Sequence, residues 1–116
     1  MNEIRETEKL YCEYIFWGFP QKTFRYFLKF RIKKGLCPTV YAEKNHFSTS
    51  LFGLAFFIKA SGLERDGLAL DLLKRHAEKS EAKQLTLIPA PEFEGLVNRN
   101  KEELEALFLI RKSEEI

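Results

Sequence analysis

Residues 23 to 34 read TFRYFLKFRIKK, in which Arg25, Phe27, Lys29, Arg31 and Lys33 recur at every second position. On a β-strand that period puts all five side chains on one face, about 6.8 Å apart, close to the repeat of phosphates along one nucleic-acid strand. Guanidinium and ammonium groups in such a row attract phosphates, and a ring among them gives a base a surface to stack on. Sheets hold single-stranded nucleic acid in this way while reading little sequence. The stretch therefore predicts a small non-catalytic binding module. Arg25, Lys29, Arg31 and Lys33 would contact nucleic-acid backbone and Phe27 would stack, while an acidic protein surface would satisfy the same cations. Two plainer readings stand beside it: a solvated strand, and a sheet edge kept basic so that its lysines block unwanted pairing. A second functional class is a protein-interaction or oligomerisation domain built on the aromatic surplus, including Trp17 and Phe19.

Signatures of catalysis are scarce. There is no glycine-rich phosphate loop, no GxSxG, no HExxH and no paired CxxC. His46 stands with Asn45, Ser48, Thr49 and Ser50 in NHFSTS, where a nucleophile and base can be imagined, but a loop followed by a helix cap explains the same residues. Arg75 and His76 close a helical run in KRHAEK, where cations favour the C-terminal end of the helix dipole. Glu64 and Asp66 in GLERDG are paired carboxylates of the kind an interhelix turn routinely supplies. An enzyme would require a pocket that gathers His46 or His76 with a carboxylate or a cysteine. Cys12 and Cys37 read as small apolar residues, with a bridge between them as the alternative. Two cysteines and two histidines scattered along the chain lack metal-ligand spacing, so no metal and no cofactor are expected.

The elements that must position these residues follow from composition and pattern. A chain of 116 residues, 45% hydrophobic and with eleven Phe, suits one globular domain over 1–116 with frayed termini. The net charge of +2 hides a field: residues 21–45 carry +6, whereas 1–20 carry −2 and 92–116 carry −3. The acidic end could fold back and neutralise the basic segment, in which case the pattern is structural. The N-terminus lacks a secretory pattern and the most apolar run, LFGLAFFI at 51–58, is far short of the roughly 20 residues of a bilayer helix, so a cytoplasmic protein that does not enter membranes is expected.

Strands are expected at the end of LYCEYIFW (10–17), across the basic stretch, at TVYAE (39–43) and at QLTLIP (84–89). GFPQK (18–22) reads as a hairpin loop. The basic stretch also has a helical reading, with Pro20 before it and Gly35 after it, but Arg31 then falls in the apolar arc, and the alternation favours a strand. Helices are expected at 48–60, with a buried strand at 51–58 as alternative, at 68–81, and after Asn100, which reads as a cap with Glu103 at the third position. Strands first and helices later predict an α+β fold, a small antiparallel sheet of three to four strands with two to three helices on one face. An all-α bundle is the alternative.

Overall fold

The segment CEYIFW at Cys12–Trp17 (β1) carries large apolar side chains at both parities, so a strand made from it must be covered on both faces. A computed structural model describes residues 12–18, 23–35, 37–43 and 56–112, and β1 lies at the centre of its five-stranded sheet. The other strands are β2 (Thr39–Ala42), β3 (Phe56–Lys59), β4 (Gln84–Pro89) and β5 (Leu109–Ile110), in the order β3-β2-β1-β4-β5. Every pairing is parallel, with Trp17 beside both Tyr41 and Pro89.

Parallel neighbours need a crossover between them, and the described crossovers contain helices. Helix α1 (Thr23–Lys34) joins β1 to β2, and α2 (Asp66–Lys79) carries the chain from β3 to β4 on the far side of β1. A 3₁₀ turn at Pro91–Phe93, then α3 (Glu94–Arg99) and α4 (Lys101–Glu105), lead to β5. Alternation along β1 sorts these helices into two layers. Phe16 meets Phe27 and Phe30 of α1 edge-to-face at 5.1 and 5.6 Å, and Tyr14 meets Phe30 at 5.0 Å. On the opposite face Ile15 and Trp17 join Tyr41, Leu85 and Leu87 in a buried cluster with Leu73 of α2, Leu96 and Val97 of α3 and Leu104 of α4. The Trp17 indole N–H donates to the Leu63 carbonyl at 3.1 Å, so the largest core side chain is buried without an unmet donor.

The fold is therefore α/β, and both the antiparallel α+β sheet and the all-α bundle expected from the sequence are overturned. The cause is one element. Residues 23–34 form α1, not a strand, because the dozen residues between parallel β1 and β2 must climb back along the sheet. The side chains assigned to the inner face of a strand then separate: Phe30 is buried, while Leu28 and Ile32 are exposed at 41% and 78%. GFPQK is no hairpin loop, since β1 continues into a crossover; Gly18 begins the turn and 19–22 lie outside the described residues. The strands expected at 39–43 and 84–89 and the helix expected at 68–81 are present within a few residues. At 56–59 the buried-strand alternative holds in its pairing, as edge strand β3, although Phe56 and Ile58 are exposed. The rest of 48–60, with its cap at Ser48 or Thr49, lies outside the described residues, as do the chain ends. Asn100 does precede a helix, but its side chain makes no cap bond and instead donates to Leu96 O and Asp66.

Gly18 closes the C-terminal end of β1 with φ +85°, and a Cβ there would stand 2.6 Å from the Phe93 ring. Both the left-handed backbone and the contact oppose a side chain. Gly18→Ala should lose about 1–3 kcal/mol in urea unfolding, whereas Gly67→Ala, a helical site with nothing within 4 Å, should be neutral or up to about 1 kcal/mol more stable.

Candidate functional site

Helix α1 has five basic residues and no acidic one. Its apolar stripe, Phe27 and Phe30, is 0% and 3% exposed against β1, which forces the rest of the helix outward. Lys29 and Lys33 are exposed one turn apart on the outer surface, roughly 6 Å along the axis. Arg31 is exposed on the other flank, and Arg31, Lys33 and Lys34 occupy the last turn, where the helix dipole favours cations. Lys34 also lies 5.9 Å above the Tyr14 ring, within reach of a cation–π contact. Of the residues expected to bind, Lys29, Arg31 and Lys33 are thus on the surface of one helix, not in a strand row. Phe27 is sealed in the core and cannot stack on a base. The Arg25 side chain lies outside the described residues; its backbone position is one turn before Lys29.

The described part of the acidic C-terminal segment lies across the sheet from this surface. Helices α3 and α4, with four acidic and two basic residues, pack on the sheet face opposite α1. Helix α2, on that same opposite face, is balanced at three and three. Several of its charges are paired: Lys74 with Glu103 at 3.1 Å, Arg75 with Asp71 at 3.2 Å, and Asp66 with Arg99 at 2.9 Å. Asp66, one of the two carboxylates of GLERDG, takes both Nε and Nη2 of Arg99 and the Asn100 amide. Those hydrogen bonds, from Arg99 first, push its carboxyl down to about 2. It serves as a clamp between α2 and α3.

A second polar cluster joins residues far apart in sequence. The carboxylate of Glu13 accepts from Ser80 Oγ at 2.8 Å and lies 2.9 Å from His76 Nε2; His76 Nδ1 lies 2.7 Å from Tyr41 Oη. An ionised carboxylate only accepts, so Nε2 carries a proton, and in the neutral ring Nδ1 then accepts from the Tyr41 hydroxyl. Burial pushes the Glu13 carboxyl up, but the hydrogen bonds and charge of His76, with bonds from Ser80 and Thr39, outweigh it and hold it below its ordinary value. Burial first, and then the Glu13 charge, raise the Tyr41 phenol. His76 was read from the sequence as a solvated or dipole-facing residue. Its side chain is instead 12% exposed and bonded to β1 and β2. The signal that pointed there was Glu13 itself, a single carboxylate inside the apolar run LYCEYIFW.

The Glu13–His76–Tyr41 chain has the components of a proton relay, yet its bonds are spent on one another. It also sits at the amino end of β1, whereas sheets of this kind take ligands outside the carboxyl ends of their strands. A cleft does lie at that end, beside β4 and β5, lined by Pro89, Glu94, Val97, Asn98, Ile110, Arg111 and Lys112. Its volume of about 120 Å³ is well below the 300–1,000 Å³ or so of ordinary small-molecule pockets. Cys12 and Cys37 form no disulfide and are partly exposed, so they are neither fully buried nor bridged. Among the described residues no group of three or more His, Cys, Asp or Glu could hold a metal, and no helix is long and apolar enough to cross a membrane. His46 and its neighbours lie outside the described residues. No family model, curated protein or solved structure matches the chain.

Two results would establish the Glu13 cluster as a clamp. Tyr41→Phe leaves His76 Nδ1 without its donor and should cost about 1–3 kcal/mol in urea unfolding. Glu13 has a folded-state pKa lowered from its unfolded value, so its contribution is complete above the unfolded value, about 4.3, and disappears as pH falls through the lower folded value. The stability gap between wild type and Glu13→Gln should accordingly be present at neutral pH and close in acid.

Proposed function

We propose that this protein is a non-catalytic binding module that holds the phosphodiester backbone of nucleic acid on the outer face of α1. The observation that carries this reading is the division of charge between the two helical layers. Among the described residues, α1 has five cations and no acid in its sequence, and the acidic helices α3 and α4 lie across the sheet. A surface of one sign concentrates polyanions and draws them in by long-range attraction. Lys29, Arg31 and Lys33 are the contact residues, with Arg25 at the next helical position. Phe27 has no part in it.

The exposed aliphatic residues Leu28 and Ile32 on the same helix favour a second reading, an acidic protein surface that would bury them. The two readings differ in what competes for the site.

Binding of a labelled oligonucleotide should weaken steeply with salt. With three phosphate contacts, the slope of log K against log salt should lie near −3 on duplex, from about −0.9 per neutralised phosphate. The triple variant K29E/R31E/K33E, at three exposed side chains, should abolish binding at low salt. Undiminished retention of the oligonucleotide by that variant removes α1 from the binding surface.

A further inference from the structure

We infer that the cleft at the carboxyl ends of β4 and β5 binds a free α-amino acid with a short branched aliphatic side chain, Glu94 taking its ammonium and Arg111 its carboxylate. The site belongs to the layer opposite α1 and is independent of the nucleic-acid reading above. Parallel sheets take ligands outside the carboxyl ends of their strands, first where the strand order reverses. Here the reversal falls between β1 and β4, and that place is taken. The Phe93 ring stands 2.6 Å from where a Cβ on Gly18 would be, and the Ala90 N–H donates to Trp17 O at 2.8 Å. The open volume lies one strand further along, beside β4 and β5.

The floor of the cleft is apolar and belongs to the core. Val97 of α3 is buried, Ile110 packs on the same cluster, and Pro89, the last residue of β4, completes the floor. Above it the two walls differ in sign. On the α3 wall Glu94 and Asn98 stand four residues apart, on one side of the helix. The other wall is Arg111 and Lys112, which follow β5, and the Arg111 backbone is fixed by its N–H bond to Leu87 O at 3.0 Å. Lys112 has an interaction of its own, so the guanidinium of Arg111 is the group assigned to the ligand. Volume decides the size. An apolar cavity of about 150 Å³ holds benzene, so the cleft's volume of about 120 Å³ suits an aliphatic group of about three or four carbons. The rest of such a ligand is left at the mouth, where one wall carries a carboxylate and the other a guanidinium. An ammonium and a carboxylate on one carbon satisfy both walls at once, and the Asn98 amide can donate to one or accept from the other. A residue within a peptide carries neither charge and a simple aliphatic acid only one, so a mouth of two signs favours the free amino acid.

The test is a titration of the isotope-labelled full chain with L-leucine and its analogues, followed through backbone amide shifts by NMR. L-leucine should saturate with a dissociation constant on the order of 1 mM, as suits so small a ligand, and should shift the Asn98, Ile110 and Arg111 amides together. Glycine lacks the side chain, leucinamide the carboxylate, 4-methylpentanoate the ammonium, and N-acetyl-leucinamide both charges. Each should bind at least about tenfold more weakly than L-leucine. Glu94→Gln should weaken L-leucine and leave 4-methylpentanoate unchanged, while Arg111→Gln should weaken L-leucine and leave leucinamide unchanged. Loss of folding cannot produce that crossed pattern, and the analogue series on wild type stands without either variant. Absence of shifts at those three amides with L-leucine at about twenty times the expected constant overturns the site. Binding of leucinamide or 4-methylpentanoate as tight as that of L-leucine overturns the two-charge recognition, and equal binding of N-acetyl-leucinamide overturns it in favour of a peptide. None of these outcomes bears on α1.

Discussion

The architecture follows from the requirement that β1 bury both of its faces. Tyr14 and Phe16 point one way and Ile15 and Trp17 the other, so no two-layer arrangement can keep all four from water. A central place in a parallel sheet, with helices above and below, meets the demand. Phe27 and Phe30 of α1 supply one cover, and Leu73, Leu96, Val97 and Leu104 supply the other. Neighbouring β2 is buried at all four positions and β4 at five of six, which extends the same condition outward from the centre.

The layering also decides where charge is placed. A helix whose apolar stripe is only two described rings wide must leave most of its circumference outside, and in α1 that circumference is lysine, arginine and two aliphatic residues. Among the described residues the opposite layer has three helices, internal ion pairs and the acidic excess of α3 and α4. The sheet separates α1 from those described acidic helices. By contrast, the Glu13, His76, Tyr41 and Ser80 bonds connect β1, β2 and the end of α2, and their closed geometry serves attachment within one layer rather than exchange with a ligand.

Much of the local structure was legible in the sequence, and one ambiguity concealed the fold. QLTLIP coincides with β4, TVYAE contains β2, and the LALDLLKRHAEK helix starts two residues early, at Asp66. TFRYFLKFRIKK fits a two-residue and a 3.6-residue period almost equally, because its cations fall at odd positions and also along one helical ridge. Local pattern cannot separate the two. What separates them is non-local: β1 pairs with β2 in parallel, which requires a crossover, and β1 and β2 are each too apolar to be anything but interior strands. Taking that one element as a helix converts strands followed by helices into strand and helix in alternation, the pattern of an α/β sheet. The basic residues were visible from the start, but the inward orientation of Phe27 depends on the helix and was not. The Glu13 cluster spans separations of 35 to 67 residues, and only a carboxylate among aromatics hinted at it.

Trp17 is the one tryptophan of the chain, and the partition of the sheet gives it a specific spectroscopic character. Its indole is fully buried, 4.9 Å from the Tyr41 ring and bonded to Leu63, on the side away from α1. Its fluorescence therefore reports the packing of the α2–α4 layer. The molecule carries a native optical reporter of folding on that side of the sheet.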